Sequence, residues 1–505
     1  MAKKCLSELI QDLPNHKLRG SGDTKISALA YDSREVKPGT LFFALPGVHV
    51  DGHDYIDAAI EAGAVGILHS QDLPQYAPSI AYVQVEHPRV AMSPISGAFW
   101  NHPSREMSVI GVTGTDGKST TVSFIRQLLE FTDAPTGSIS TVDIAVGNTR
   151  GANPLRQSTP EAPQIHALLR AMLDAGQTHA VVEATSHGLS PKNNRLGDVA
   201  FDAAVFTNVT SEHLEFHGDL DTYRKDKSRL FSMMGHSRNR DAFGVVNMDD
   251  PHADLFIAAA GEKPVYTYSM KEEEADILAT DLNCEPNGTE FTVVSPWGEV
   301  RTRINLPGAY NVENALAALC VVAEMRDADI LELAERLPEL EGVKGRMEPI
   351  HGDMDFHVMV DYAHSPGSFE KILPFLKSLT KGKLILVFGS AGERDVEKRP
   401  KQGEIASRFA EKIYLTDEDP RGENSMDILE DIAAGVSGLE EGKSLFLIPD
   451  RNQAIHAACA SAENDDLVAV LGKGHESSII YANKSQPWDE AKACREALQD
   501  LGYEL

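Results

Sequence analysis

The run Ser108-Val109-Ile110-Gly111-Val112-Thr113-Gly114-Thr115-Asp116-Gly117-Lys118-Ser119-Thr120 decides the fold class. Its first six residues suit a buried strand, its middle is glycine-rich, and a helical pattern follows from about Lys118 to Phe131. A strand feeding a tight turn and then a helix aims free N–H groups and the positive end of the helix dipole at a phosphate. In that setting Lys118 reaches the outer phosphates and Ser119 ligates Mg²⁺. Gly111 lies one residue too far back for the usual Gly-x4-Gly-Lys spacing. The order strand, turn, helix is what separates the run from an ordinary glycine turn.

Outward from this loop, apolar runs alternate with helical stretches. Ala180 to Glu183, Ala203 to Thr207 and Gly244 to Asn247 read as further strands of a mainly parallel α/β sheet. A second alternating set follows: Val358 to Asp361, Leu384 to Phe388, Lys412 to Thr416, Leu445 to Ile448 and Leu467 to Leu471. Four of these strands end in dense polar groups: Asp361 to His364, Gly389 to Arg394, Asp417 to Arg421, and Gly472 to Glu476. Open α/β sheets bind ligands outside the carboxyl ends of their strands, so this segment has a site by layout. Polar breaks at Asn101-His102-Pro103-Ser104 and Gly342-Val343-Lys344-Gly345 divide the chain into expected domains of 1–104, 105–344 and 345–505. The first carries the turns Pro38-Gly39 and Pro46-Gly47, the strand Thr40 to Leu45 and a helix from Tyr55 to Ala62; Lys271-Glu272-Glu273-Glu274 reads as a solvated face.

Composition agrees with this reading. At roughly 150 residues per domain, 505 residues suggest about three domains. Hydrophobic residues at 42% and charged residues at 24% are globular values. No apolar run approaches the roughly 20 residues of a membrane span. The five cysteines form no Cys-x-x-Cys pair, which fits a reducing cytoplasm. A net charge of −29 argues against a general nucleic-acid binder. It also means that an anionic substrate must be held by local donors.

Further polar motifs surround the loop. Glu183, ending a strand of the same sheet, is a candidate Mg²⁺ ligand or a plain strand-end carboxylate. Thr207 to Gly218 carries His213 and His217, and Tyr223 to Phe231 is a basic amphipathic stretch. Together with Ser158-Thr159-Pro160, Glu183-Ala184-Thr185-Ser186-His187 and Tyr223-x-x-x-Lys227-x-x-Leu230-Phe231, these resemble the Mur ligases. Within them the chain most resembles the type that adds the third peptide residue to UDP-N-acetylmuramoyl-L-alanyl-D-glutamate. The resemblance runs nearly end to end. It takes in Asp32-Ser33-Arg34, Pro307-Gly308-Ala309-Tyr310-Asn311, Gly345-Arg346-Met347-Glu348, Asp361-Tyr362-Ala363-His364, Arg394-Asp395, Asp419-Pro420-Arg421 and Gly472-Lys473-Gly474-His475-Glu476, in family order.

The resemblance implies three α/β domains: an N-terminal UDP-binding one, a central P-loop ATPase-like one and a C-terminal Rossmann-like one. It implies a cytoplasmic monomeric ligase of peptidoglycan precursor synthesis, hence of cell-wall biogenesis, cell shape and division. ATP phosphorylates the D-glutamyl carboxylate, and the amine of a diamino acid attacks the acyl phosphate. By carry-over, Gly114, Thr115, Asp116, Gly117, Lys118, Ser119, Thr120, Asn311, Arg346, Asp361 and His364 hold ATP. Ser119, Glu183, His213 and Lys227, the last as a CO₂-derived carbamate, serve two Mg²⁺, and Lys118, Glu183, His213 and Lys227 are catalytic. Ser33, Ser158, Thr159, Thr185 and Arg195 bind the UDP-sugar peptide; Thr185 stands where many relatives have Ser, and the stretch before Arg195 is longer than in some. ATP contacts from two domains imply closure over the acyl phosphate.

Arg394, Glu418, Asp419, Arg421, Gly472 and Glu476 fall at the amino-acid-binding positions. Enzymes adding meso-diaminopimelate usually show Asp-Asn-Pro-Arg, whereas here Glu418-Asp419-Pro420-Arg421 adds an anion. An extra anion favours a side chain ending in ammonium, so lysine or ornithine stands beside meso-diaminopimelate. Two other readings are a different ligase of this fold, D-Ala-D-Ala-adding or folylpolyglutamate-type, and a non-catalytic nucleotide-binding protein. Asp-Pro-Arg and Gly-Lys-Gly-His-Glu speak against the first; Lys118, Glu183, His213 and Lys227 together speak against the second. A dinucleotide oxidoreductase is disfavoured because no Gly-x-Gly-x-x-Gly follows a strand.

Overall fold

The computed structural model describes residues 3–47, 50–155, 157–210, 218–236 and 241–505. The chain divides into two compact units, Met1–Leu278 with Leu316–Ile330, and Ala279–Ala315 with Leu331–Leu505.

The first unit opens with a five-stranded sheet in the order Lys17–Arg19, Ala81–Gln84, Ala64–His69, Thr40–Phe43, Ala28–Ala30. Only Lys17–Arg19 runs antiparallel to its neighbour. Leu41, Phe43, Leu68 and Val83 pack on one face, and Phe42, Ile67 and Tyr82 on the other. The expected helix at Tyr55 begins as a single 3₁₀ turn, Gly52–Tyr55, capped by Asp51, and becomes α-helical over Ile56–Glu61.

The phosphate-loop strand, Ser108–Thr113, is central in the next sheet and runs parallel to His179–Glu183 on one side and Ala203–Phe206 on the other. Thr136–Ile139 lies beyond the former; Phe243–Asn247 and Val265–Ser269 lie beyond the latter. After the loop the chain crosses to one side, and after His179–Glu183 it returns to the other. This reversal opens a crevice at the carboxyl ends of the strands, where the loop sits. The helix is Lys118–Phe131, as its apolar spacing predicts, and buries Val122, Phe124, Ile125, Leu128 and Leu129. Its N-terminus faces the crevice because the glycine turn feeds it directly.

The second unit holds a six-stranded sheet: Glu348–Ile350, His357–Asp361, Leu467–Leu471, Leu384–Phe388, Lys412–Leu415, Leu445–Leu447. All but the first run parallel. Leu386, Phe388 and Ala469 face one core; Ile385, Val387 and Val468 face the other. A sheet covered on both faces explains why its strands read as unbroken apolar runs. Arg451, at the start of helix Arg451–Ala460, is 2% exposed and bonds Glu490 through Nε (2.9 Å). Its remaining nitrogens donate to the carbonyls of Asp417 (2.9 Å) and Leu471 (2.8 Å). One buried guanidinium thus ties down the first residues of two polar loops.

The acidic run Lys271 to Glu274 is exposed, as expected. All five cysteines are free, and no helix of the described residues is long and apolar enough to cross a membrane.

His166, on helix Ala162–Asp174, is fully buried and neither ring nitrogen has a hydrogen-bond partner among the described residues. Burial pushes its pKa down from 6.5 to about 4. Between these values the unfolded chain binds a proton that the native ring refuses, so stability falls as pH falls through the window. The loss totals about 3 kcal/mol, of which about 2 kcal/mol has accrued by pH 5. Urea unfolding at pH 7.5 and pH 5 should therefore show His166→Leu gaining about 2 kcal/mol on the parent protein over that interval. A constant gap between the two proteins would show that this ring does not carry the acid sensitivity.

Candidate active site

The phosphate loop is braced from outside. Thr115 N donates to the Asn208 carbonyl (2.7 Å), and Asp116 N to the Asn208 side chain (3.0 Å). Thr207 Oγ1 donates to the Asp116 carbonyl (2.7 Å), and Thr115 Oγ1 accepts from Thr210 N (3.0 Å). Gly114 has φ +150°, and a Cβ there would collide with Thr207 Oγ1. Gly117, at φ +82°, makes the left-handed step into the helix. Both glycines are therefore required by conformation or contact. Lys118 Nζ rests on the Thr115 carbonyl (2.8 Å), and the partly exposed Thr120 follows Ser119 into the first turn.

Ser119 and Glu183 meet, as the sequence predicts. Ser119 Oγ donates to Glu183 Oε2 (2.8 Å). Thr141 adds its N–H to Oε2 and its hydroxyl to Oε1, both at 2.9 Å. Glu183 is 2% exposed, yet these partners are all neutral. A buried carboxylate surrounded by neutral donors, with a hydroxyl beside it, is an oxygen set suited to a hard divalent cation. Ser119 and Glu183 thus fit Mg²⁺. Among the described residues no three His, Cys, Asp or Glu side chains gather as a metal cage. His213, assigned to metal from the sequence, lies outside the described residues.

Lys227 is 2% exposed on helix Leu220–Met233, far from the solvated helix surface that its charge alone suggests. Its Nζ bonds the Gly114 carbonyl and lies 4.5 Å from the centre of the Tyr223 ring. Tyr223 Oη in turn meets Thr115 Oγ1 (3.1 Å). Lys225, two residues earlier, is exposed; the buried lysine on this helix is Lys227, four residues after Tyr223.

A cavity of about 290 Å³ opens at this end of the sheet. Lys118, Ser158, Thr159, Thr185, Arg195 and Lys227 all line it, together with Gln157, Ser186, His187 and Tyr223. Thr159 Oγ1 donates to the Glu183 carbonyl (2.6 Å) and accepts from Thr185 N–H and hydroxyl (3.0 and 2.9 Å). Thr185 also caps the short helix Ser186–Leu189, so its departure from Ser keeps the hydroxyl that does both tasks. Arg195 bonds the Thr159 carbonyl and Glu161, both at 2.8 Å, and Arg89 reaches the same carboxylate (2.9 Å). Ser33 lies in the 3₁₀ turn Ser33–Glu35 and does not line this cavity. A larger hollow of about 740 Å³ lies beside Ser108, His179 and Phe243, at the amino ends of the strands. None of the sequence-predicted site residues lines it.

In the second unit, Asp361 ends its strand with both carboxylate oxygens engaged, Oδ2 by Met347 N and Oδ1 by Ala363 N, each at 2.8 Å. Burial pushes its pKa up despite nearby Arg346. Arg346 lies over the Tyr362 ring (4.9 Å), and His364 and His475 lie against the same ring at 4.6 Å each. Asn311 is buried at the start of helix Ala309–Arg326 and bonds the Pro307 carbonyl (2.8 Å).

The amino-acid positions gather around a residue the sequence reading passed over, Lys473. Its Nζ, with its side chain fully buried, bonds Asp419 (2.8 Å) and Glu476 (2.6 Å). Asp419 also accepts from Ile480 N, and Arg421 N donates to the Ile480 carbonyl, both at 2.9 Å. Arg421 sits in left-handed backbone at φ +53°. Glu418 is buried beside Gly472; its Oε2 has no hydrogen-bond partner among the described residues and burial raises its pKa. Arg394 is exposed on the loop before helix Lys398–Ser407. Lys473 and Asn208 were within quoted motifs and could have been singled out there; Glu161 caps helix Ala162–Asp174 in a capping box with Gln164, a signal that marks a helix start and not a site, and Thr141 carries no local signal beyond following a strand.

Three family descriptions match the chain: Mur ligase family, catalytic domain, over 25–99; Mur ligase middle domain over 112–322; and Mur ligase, glutamate ligase domain, over 345–474. A UDP-N-acetylmuramyl-tripeptide synthetase of Roseiflexus sp. (strain RS-1) is 47% identical over 494 residues, covering 95% of this chain and 96% of its own. A UDP-N-acetylmuramoyl-L-alanyl-D-glutamate–2,6-diaminopimelate ligase of Geobacillus kaustophilus (strain HTA426) is 37% identical over 502 residues, covering 98% and 100%. A solved structure bearing that same enzyme name superposes with a TM-score of 0.68 at 28% identity, covering 99% of each chain. The chain belongs to the Mur ligase family.

Proposed function

We propose that this protein is the ATP-dependent ligase that adds the third amino acid, a diamino acid, to UDP-N-acetylmuramoyl-L-alanyl-D-glutamate. The observation that carries the reading is the convergence of Lys118, Ser158, Thr159, Thr185, Arg195 and Lys227 on one cavity beside the phosphate loop. The names of the Roseiflexus and Geobacillus relatives supply the substrate class. On this reading the protein is a cytoplasmic monomer serving cell-wall growth, cell shape and division.

The D-glutamyl carboxylate attacks the γ-phosphorus of ATP and ADP departs. The incoming amine then attacks the acyl carbon, loses a proton, and expels phosphate. The N–H groups at the start of helix Lys118–Phe131 and the Lys118 side chain hold the triphosphate in line, while Arg195, Thr159 and Thr185 orient the peptide. Such chemistry depends on positioning and charge neutralisation. Ser119 and Glu183 would hold Mg²⁺, which would supply positive charge at the transferring phosphoryl group. Lys227 is assigned as the carbamylated lysine and His213 as a ligand of a second Mg²⁺. Arg346, Asp361, His364 and Asn311 are assigned to ATP.

Purified protein given ATP, Mg²⁺, the UDP-dipeptide and one amino acid should release phosphate and form a product one residue longer by mass. Glu183→Gln keeps the shape but removes the buried anion. It should lower kcat by roughly 10²–10³, the usual cost of losing one transition-state electrostatic group, and raise the Mg²⁺ concentration needed for half-maximal rate. An unchanged Mg²⁺ titration would remove Glu183 from the metal site.

The amino acid added is proposed to be lysine or ornithine. Lys473 partly offsets Asp419, but with Glu476 the three groups still carry one net negative charge, where an Asn at 419 would leave none. An ammonium-tipped side chain benefits from that charge, and an added carboxylate does not. Asp419→Asn should shift preference toward meso-diaminopimelate by about tenfold in kcat/KM, a change of about 1.4 kcal/mol. Equal selectivity in both proteins would reduce Asp419 to a partner of Lys473.

A further inference from the structure

The turn Gly472-Lys473-Gly474-His475-Glu476 faces two ways. On one side Lys473 joins Asp419 and Glu476 in the amino-acid cluster. On the other, Gly474 and His475 press on the residues around Arg346. Gly345 crosses them so closely that a Cβ would collide with the backbone of Gly474 and with His475 N. Gly474, at φ +47°, has no room for a Cβ either, with Tyr362 and the Gly345 carbonyl against it. The Tyr362 ring touches both the His475 ring, 4.6 Å between centroids, and the Arg346 guanidinium, 4.9 Å from its centre.

From this geometry we infer that His475 is a positioning residue for Arg346, acting through the Tyr362 ring. The inference rests on the assignment of Arg346 to ATP proposed above. His475 packs on the same ring that Arg346 contacts, so the guanidinium has a fixed platform. Asp361 fixes the other end by binding Met347 N, the residue after Arg346. The imidazole suits the task because it stays neutral: burial, with Arg346 and His364 close by, lowers its pKa to about 4. A cation in its place would repel the arginine it supports. Because Lys473 and His475 share one short turn, the support for Arg346 is anchored in the amino-acid cluster.

A double-mutant cycle tests this. Tyr362→Leu removes the platform and should raise the KM for ATP about tenfold, the size of one desolvated cation–π contact. His475→Ala should raise it about fivefold, while the KM for the amino acid stays within about twofold. His475→Phe, which keeps a flat neutral ring, should recover most of the loss. Arg346→Ala should make the His475→Ala change nearly silent, since a buttress has no effect once its load is gone. Effects that multiply independently, or an amino-acid KM that moves as far as that of ATP, would overturn the inference. If His475→Ala does not fold, His475→Gln, which also lacks the ring, carries the same cycle. Binding of a non-hydrolysable ATP analogue, measured by calorimetry without UDP-peptide, should rank the variants in the same order. Parent protein that binds the analogue in this pattern yet makes no tripeptide would refute the proposed activity and leave the positioning role standing.

Discussion

A glycine-rich loop is conformationally permissive and must be held in shape by its surroundings. That constraint governs the first unit. The loop from Gly114 to Gly117 is held from outside, by Thr207, Asn208 and Thr210 at the end of the neighbouring strand. The bracing needs contact so close that Gly114 can bear no side chain. It also needs Ala203–Phe206 and Ser108–Thr113 to be parallel neighbours, because only then do both strands end at the same edge. Glu183 reaches Ser119 for the same reason, from the strand on the other side. Sheet order, glycine placement and the meeting of Ser119 with Glu183 follow from one requirement: a loop held rigid by its neighbours.

Much of this was legible in the sequence because it is local. The strand Ser108–Thr113 and helix Lys118–Phe131 follow from apolar spacing and glycines. The meeting of Ser119 with Glu183 was legible too, since Glu183 ends a strand and Ser119 lies in the first turn of the helix beside the same crevice. What spacing alone did not show is burial of charge. Tyr223 to Phe231 reads as a basic surface, yet Lys227 is inside it, against Gly114 and Tyr223. Only the family resemblance set that lysine apart. Lys473 went unremarked between two glycines, although it neutralises Asp419. Its partner is 54 residues away in sequence, and no periodicity reports such a pairing. Burial and long-range ion pairing are properties of the assembled sheet, so they become visible only with it.

The second unit manages buried charge by a different rule. Arg451 is sealed with Glu490 and spends its other donors on two loop carbonyls. A buried pair of this kind adds little net stability, but removing one member leaves an uncompensated charge at a cost of about 3–5 kcal/mol. Its value is positional. It fixes Asp417 and Leu471, and the residues that follow each, Glu418 and Gly472, are among those the resemblance assigns to the amino acid. Lys473 repeats the device one step outward, with Asp419 and Glu476.

These placements reconcile a net charge of −29 with anionic substrates. At physiological salt, exposed charges act over roughly 8 Å, so the overall excess of acid is screened at the distances where a substrate binds. What a phosphate or carboxylate meets at the cavity is local: Lys118, Arg195 and a helix N-terminus. Arg195 is shared with Glu161, which keeps it oriented without a ligand, and Lys118 rests on a loop carbonyl that a triphosphate can outcompete. Both cations are thus held in place by internal acceptors before an anion arrives. A charged side chain parked this way needs little reorganisation when the anion arrives, and small reorganisation is what electrostatic catalysis requires.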